Sequence, residues 1–147
     1  MIVSGEIMKK EYLNKIYELA KESFNVDEIP VGAIVVRNNE IVGTGVNSRH
    51  SDKSVVGHAE INAIEAACKV VGDWRLDDCE MYVTLLPCMM CSGAILESRI
   101  KKVYYLCDRT NVCFQSKKYI KVEKINDSDM EEKCLKMLQL FFENKRN

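Results

Sequence analysis

The sequence predicts an α/β protein in three layers, with helices on both faces of one mixed sheet. Three observations carry this expectation. Helix-patterned and strand-patterned segments follow one another in the order α-β-β-α-β-α-β-β-α, an early strand is apolar on both faces, and the chain has 147 residues. That length suits one hydrophobic core, so residues 1–147 are expected to form a single domain.

Each element has a local reason. From Met8 to about Phe24 the residues Tyr12, Leu13, Ile16, Tyr17, Leu19 and Ala20 recur at helical steps. After Pro30, Val31 to Arg37 is β-branched and apolar, which suits a central strand covered on both faces. Asn38-Asn39 reads as a tight turn into a second strand, Glu40 to Val46. Ser51 to Gly57 is polar loop. Helical spacing then returns from His58 to Val71 through Ile61, Ile64, Ala67, Cys68 and Val71, and Gly72 stands where a helix stops.

Glu80 to Leu85 is strand-like, Pro87 sits where a helix can start, and Met90 to Leu96 supplies its apolar face. Lys102 to Cys107 follows as a strand, and Lys117 to Lys124 as a weaker alternating one. Asp127-Ser128-Asp129 can cap a last helix carrying Met130, Cys134, Met137, Leu138, Phe141 and Phe142.

Composition narrows the class. At 47% hydrophobic and 29% charged, the chain has the balance of a soluble globular protein. Its longest unbroken stretch of apolar residues plus Gly and Pro, Ile29 to Val36, falls far short of the roughly 20 residues a bilayer span needs. Met1 to Lys10 lacks the apolar core of a secretory signal, so a cytoplasmic protein is expected, with Met8 an alternative start. Seven cysteines, irregularly spaced, favour thiols or metal ligands over a disulfide framework. Charge is uneven: residues 98–124 carry 8 Lys/Arg against 2 Asp/Glu, a net +6 in a chain whose total is −1. This block, from Arg99 through Lys101, Lys102 and Arg109 to Lys124, is either a field that meets phosphates or a set of lysines guarding a strand edge.

Two fragments carry chemistry: His58-Ala59-Glu60 and Pro87-Cys88-Met89-Met90-Cys91, each opening a helix. Cysteines three apart at a helix start can turn both sulfurs to one side and grip a tetrahedral zinc. The helix N-terminus favours the thiolate a metal requires. Of the two histidines, His50 and His58, only His58 opens a helix with a carboxylate two residues on, which makes it the better third ligand. Three protein ligands leave one position for a water whose pKa zinc lowers to about 7. Glu60 lies roughly 200° around the helix from His58, so its expected task is moving protons, not ligation. A structural zinc would instead need a fourth protein ligand, for which His50, Cys107 and Cys113 are the candidates. Cys68 and Cys134 are expected to pack as small hydrophobes, and Met89, Met90 and Met137 as core filler.

With these fragments stand Ile29-Pro30-Val31-Gly32-Ala33, Gly45-Val46-Asn47, Tyr82-Val83-Thr84-Leu85 and Ser98-Arg99-Ile100. Together they resemble the cytidine deaminase-like zinc enzymes, and among them the bacterial tRNA adenosine deaminases, over roughly residues 8–106. The resemblance implies a homodimer with a five-stranded sheet that hydrolyses a tRNA wobble adenosine to inosine and releases ammonia. It further implies zinc on His58, Cys88 and Cys91, a proton shuttle at Glu60, and a base read by Asn47 and backbone around Ala59. RNA phosphates would fall to the basic block, including Arg99, Lys101, Lys102 and Arg109. The chain departs from the usual pattern at Leu85-Leu86, where Leu-Glu is usual, and over Leu106 to Asn111. Ala67 to Gly72 and Leu76 to Cys79 also resemble bacterial guanine deaminases, which keeps a free nucleobase, nucleoside or nucleotide as the alternative substrate.

Overall fold

A computed structural model describes residues 5–109 and 116–145. Its element order is the expected one: α1 (Gly5–Asn25), β1 (Gly32–Arg37), β2 (Glu40–Val46), α2 (Ala59–Val71), β3 (Cys79–Leu85), α3 (Met89–Ser98), β4 (Lys102–Cys107), β5 (Val122–Lys124) and α4 (Ser128–Lys145). The five strands form one sheet in the order β2-β1-β3-β4-β5. β1 runs antiparallel to both its neighbours, while β3, β4 and β5 are parallel, so the sheet is mixed.

The hairpin turns where two asparagines permit it. Asn38 and Asn39 both adopt positive φ, 50° and 64°, the twist that joins right-twisted antiparallel strands through two residues. β1 is central, and Ala33, Ile34 and Val35 are fully buried, in accord with its apolar sequence. α1 packs on the sheet with α4 against it, while α2 lies on β1 and β2 and touches α3, which gives the three layers.

α2 docks on a different face from the one its larger residues suggest. Ala59, Ala63 and Ala67, four apart, are fully buried, while Ile61, Cys68 and Val71 are only partly so. The reason lies across the interface: a Cβ at Gly43 would collide with the Ala63 carbonyl, and one at Gly45 with the Ala59 carbonyl. Glycine facing alanine lets helix and strand backbones meet closely. The helix stops at Gly72, whose φ of 79° is the left-handed cap that glycine supplies.

Two local expectations are corrected. The strand expected over Lys117 to Lys124 is confined to Val122–Lys124, preceded by a 3-10 turn at Ser116–Lys118. The N–H groups of Tyr119 and Ile120 are spent on the Ser116 carbonyl, so these two residues turn locally and do not donate to a ladder. The third helix begins beyond Pro87: Cys88 is its N-cap, and the Cys88 carbonyl accepts the Ser92 N–H at 2.9 Å. The last helix is capped as expected, with Asp127 Oδ1 accepting the Met130 N–H at 3.0 Å.

Candidate metal centre and active site

The parallel strands decide where the site lies. β2, β3 and β4 all end at one edge of the sheet, and the loops leaving those ends carry Asn47, Cys88 and Arg109 respectively. Chain ends of this kind collect binding groups because helix N-termini gather there. His58 caps α2 and Cys88 caps α3, each in extended backbone and neither spending its side chain on the cap. Their side chains are therefore available to one another.

His58 Nδ1 lies 3.7 Å from Cys88 Sγ and 3.4 Å from Cys91 Sγ. Zinc–sulfur bonds of about 2.3 Å and zinc–nitrogen bonds of about 2.0 Å, opened to a tetrahedral angle, separate nitrogen from sulfur by about 3.5 Å. The three residues therefore fit the ion. Among the described residues this is the one group of three or more His, Cys, Asp or Glu positioned to hold a metal. His50 lies exposed on the loop after β2, and Cys107 is buried beside Cys134 with its Sγ 3.8 Å from the Glu131 carbonyl, so neither joins the group. Cys113 lies outside the described residues.

The thiols share a proton. Donation from the Cys91 thiol, aided by His58, pulls Cys88 down to about 3, while the same bond and burial push Cys91 up. The Cys88 thiolate in turn raises His58. A divalent cation between them would reverse the cost of the second thiolate, because its charge is the largest in the site.

Glu60 is 2% exposed in the first turn of α2, next to buried Ala59, Ala63 and Ile64. Burial raises its pKa, and its carboxyl lies beside Cys91 without joining the metal group. Asn47 is almost as buried. Its Nδ2 donates to the Ile29 carbonyl at 2.7 Å, and its Oδ1 accepts the Ala59 N–H at 2.8 Å. One amide hydrogen and one lone pair of Asn47 remain, whereas the N–H of Ala59 is already taken.

A cavity of about 600 Å³ opens over these groups, lined by Asn47, His58, Glu60 and Cys88 at its floor. Ile29, Val31 and Leu85 add apolar lining, and Arg49, Asp108 and Arg109 add charged lining. The contribution of α4 to the lining, Leu135, Leu138, Gln139 and Phe142, was not expected from sequence. The buried stripe of α4 runs through Cys134, Met137 and Phe141, while Leu138 is partly buried and packs against the core and Phe142 is 46% exposed. Arg99, Lys101 and Lys102 stand elsewhere. Arg99 caps the far end of α3 and lies over the Trp74 ring, and the two lysines are at the opposite end of β4.

A further buried carboxylate supports the site. Glu28, 1% exposed, accepts the N–H groups of His50 and Ser51 and the Ser51 hydroxyl, at 2.9 to 3.1 Å. It thereby holds the loop between Asn47 and His58. Nothing in its sequence neighbourhood marks this role, because its partners, two backbone N–H groups and one hydroxyl, lie more than twenty residues away.

A single His, two Cys and a buried Glu beneath a cavity at the strand ends define a zinc-dependent hydrolytic deaminase. Residues 7–107 match the family described as the cytidine and deoxycytidylate deaminase zinc-binding region, and the chain belongs to that family. It is similar to the tRNA-specific adenosine deaminase of Bacillus subtilis strain 168, 34% identical over 143 residues that cover 92% of this chain and 89% of that one. It is also similar to the enzyme of the same name from Aquifex aeolicus, 46% identical over 67% of this chain and 66% of the other. Among solved structures, one from a study of A-to-I editing by tRNA:A34 deaminases at the wobble position superimposes with a TM-score of 0.76, at 26% identity, over 88% of this chain and 99% of its own. The guanine deaminase of Bacillus subtilis superimposes with a TM-score of 0.64, at 39% identity, over 67% of this chain and 64% of its own.

Proposed function

We propose that this protein converts adenosine to inosine at the wobble position of a tRNA anticodon, releasing ammonia, and that it works in the cytoplasm as a homodimer built of one domain per chain. The observation that carries the reading is similarity to tRNA-specific adenosine deaminases along nearly the whole chain, extending past the metal fragments into α1 and α4. No helix among the described residues is long and apolar enough to cross a membrane.

Zinc held by His58, Cys88 and Cys91 supplies the Lewis acid that makes water nucleophilic near neutral pH. The chain's own residues do the rest. Glu60, buried beside the ligands, takes one proton from the attacking water and delivers it to the ring nitrogen. It then takes the second from the hydroxyl newly bonded to the ring carbon and passes it to the amine, which leaves as ammonia when the C–N bond breaks. Asn47 uses its remaining hydrogen and lone pair on the edge of the flipped base, while Ala59 acts by holding Asn47 in place. Leu135, Leu138 and Phe142 supply the apolar wall that excludes bulk water from the base. Arg109, which lines this cavity, is the member of the basic block we assign to RNA.

A second reading, deamination of a free nucleobase, nucleoside or nucleotide of the guanine, cytosine or cytidine type, is favoured by the likeness to guanine deaminase. Incubating the zinc-loaded protein with a wobble-adenosine anticodon stem-loop, guanine, cytosine and cytidine, and scoring ammonia and inosine, separates the two. Turnover of guanine with none of the stem-loop would overturn our reading.

A further inference from the structure

We propose that Arg49 and Arg109, which both line the cavity, together form a phosphate clamp that selects a base carried on a phosphorylated ribose over a free base. The proposal rests on the deaminase reading above and specifies the substrate class that the same cavity takes.

The two side chains line one cavity with the metal ligands but reach it from different loops, Arg49 from the loop after β2 and Arg109 from the end of β4. Among the described residues no carboxylate pairs with either one. The adjacent acid that could neutralise Arg109 is engaged elsewhere. Asp108 accepts Lys124 Nζ at 2.7 Å and faces Lys117 Nζ at 3.8 Å, while Lys124 also reaches Glu131 at 3.0 Å.

The Arg109 side chain and the Arg49 backbone are also held in place. The Nε of Arg109 donates to the Leu86 carbonyl at 2.6 Å. This fixes one edge of the guanidinium and leaves the four N–H groups of its two terminal nitrogens, the fork that matches two phosphate oxygens. Leu86 itself carries no charge, so the bond orients the arginine without neutralising it. Arg49 directly precedes the two residues whose N–H groups Glu28 grips, and its own carbonyl accepts the Ser54 N–H at 3.0 Å. Two cations that line one cavity with the metal ligands, and that no carboxylate pairs with among the described residues, have no use for an uncharged purine. They suit the anionic oxygens on either side of a nucleotide whose base has entered the cavity.

The shared chemistry is a ribose phosphate, either a diester within RNA or the monoester of a free nucleotide. The test measures steady-state kinetics of the zinc-loaded wild type, Arg49→Gln, Arg109→Gln and Arg109→Lys on a wobble-adenosine stem-loop RNA, AMP, adenosine and guanine. Zinc content and melting temperature serve as controls for folding. The expected result is a KM for the RNA raised about tenfold or more in each Gln variant, with kcat nearly unchanged. The dependence of log KM on log salt falls by about 0.7 per contact removed. Arg109→Lys recovers the salt slope more than the KM, because lysine keeps the charge and loses the fork. If the wild type deaminates RNA while both Gln variants keep its KM and salt slope, the clamp is wrong and the tRNA reading stands. If the wild type turns over AMP in an arginine-dependent way and ignores RNA, the clamp stands and the tRNA reading falls. Turnover of unphosphorylated guanine or adenosine alone overturns both.

Discussion

Asn47 accepts the Ala59 N–H through its Oδ1 at 2.8 Å, so the residue between His58 and Glu60 is tied to the end of β2 by a buried hydrogen bond. The same amide donates to Ile29, which makes Asn47 the joint between β1, β2 and the helix that presents both a metal ligand and the buried acid. Replacing it with alanine orphans the buried Ala59 N–H, at about 1–3 kcal/mol, while the Ile29 carbonyl still accepts the Val31 N–H at 2.8 Å. Asn47→Ala is therefore expected to unfold at lower urea concentration and to lose kcat/KM by at least about tenfold, since the group facing the base goes with it. Urea denaturation beside steady-state kinetics checks this, and full activity in the variant would remove Asn47 from the site.

Zinc content is predicted to depend on the three ligands equally. Nδ1 of His58 and the two sulfurs sit at the separations a tetrahedral ion requires, and no fourth described side chain stands ready to replace one. Cys88→Ser, Cys91→Ser and His58→Ala should each fall from one zinc per chain to near zero by elemental analysis after dialysis. Treating the wild type with a chelator should abolish ammonia release, and added zinc should restore it.

Glu60 separates metal binding from chemistry. Because it lies beside Cys91 but outside the ligand group, Glu60→Gln should keep a full zinc complement. Glutamine fills the same buried volume and cannot relay a proton, so turnover is expected to drop by about 10²-fold or more. A variant with wild-type kcat would end the proton-shuttle assignment.

What could be read from sequence and what could not divide along physical lines. His58, Cys88 and Cys91 were legible because metal chemistry needs those residue types, and helix starts are marked by Pro87 and by the onset of apolar periodicity. The hairpin was legible because Asn38 and Asn39 suit the positive φ values that they adopt. Glu28 was not, because a carboxylate that caps distant backbone N–H groups leaves no pattern near itself. Nor was the α4 wall. Leu135 and Phe142 look like further members of an apolar stripe, and only packing distinguishes those facing the sheet from those facing a cavity. Glu60 lies between these cases: its place two residues after His58 suggested a function, while its full burial became visible only once Ala59 and Ala63 were seen to face glycine.

That close approach makes Gly45 a sensitive position. A side chain there meets the Ala59 carbonyl, so α2 must move away from β2 and carry His58 with it. Overpacking of this kind costs about 1–3 kcal/mol even where neighbours can shift, and here the neighbour is helix backbone. Gly45→Val is expected to lower both the urea midpoint and zinc occupancy, whereas substitution at exposed Gly93, whose Cβ would meet nothing within 4 Å, should affect zinc little.

Glu28 supplies a pH test of the loop that carries Arg49. Burial alone would raise its pKa, but the N–H groups of His50 and Ser51 and the Ser51 hydroxyl outweigh that and leave it lowered. A carboxylate whose folded pKa lies below its unfolded value stabilises the fold above the unfolded pKa and loses that contribution as pH falls through the folded one. Glu28→Gln, which puts an amide where three donors converge, should therefore cost about 1–3 kcal/mol of unfolding free energy at pH 7. The gap between variant and wild type should narrow as pH drops below about 4.3, the ordinary glutamate value. Urea unfolding of both proteins at a series of pH values measures the gap directly, and a gap that stayed constant down to the acid limit would mean that Glu28 acts through its shape and not its charge.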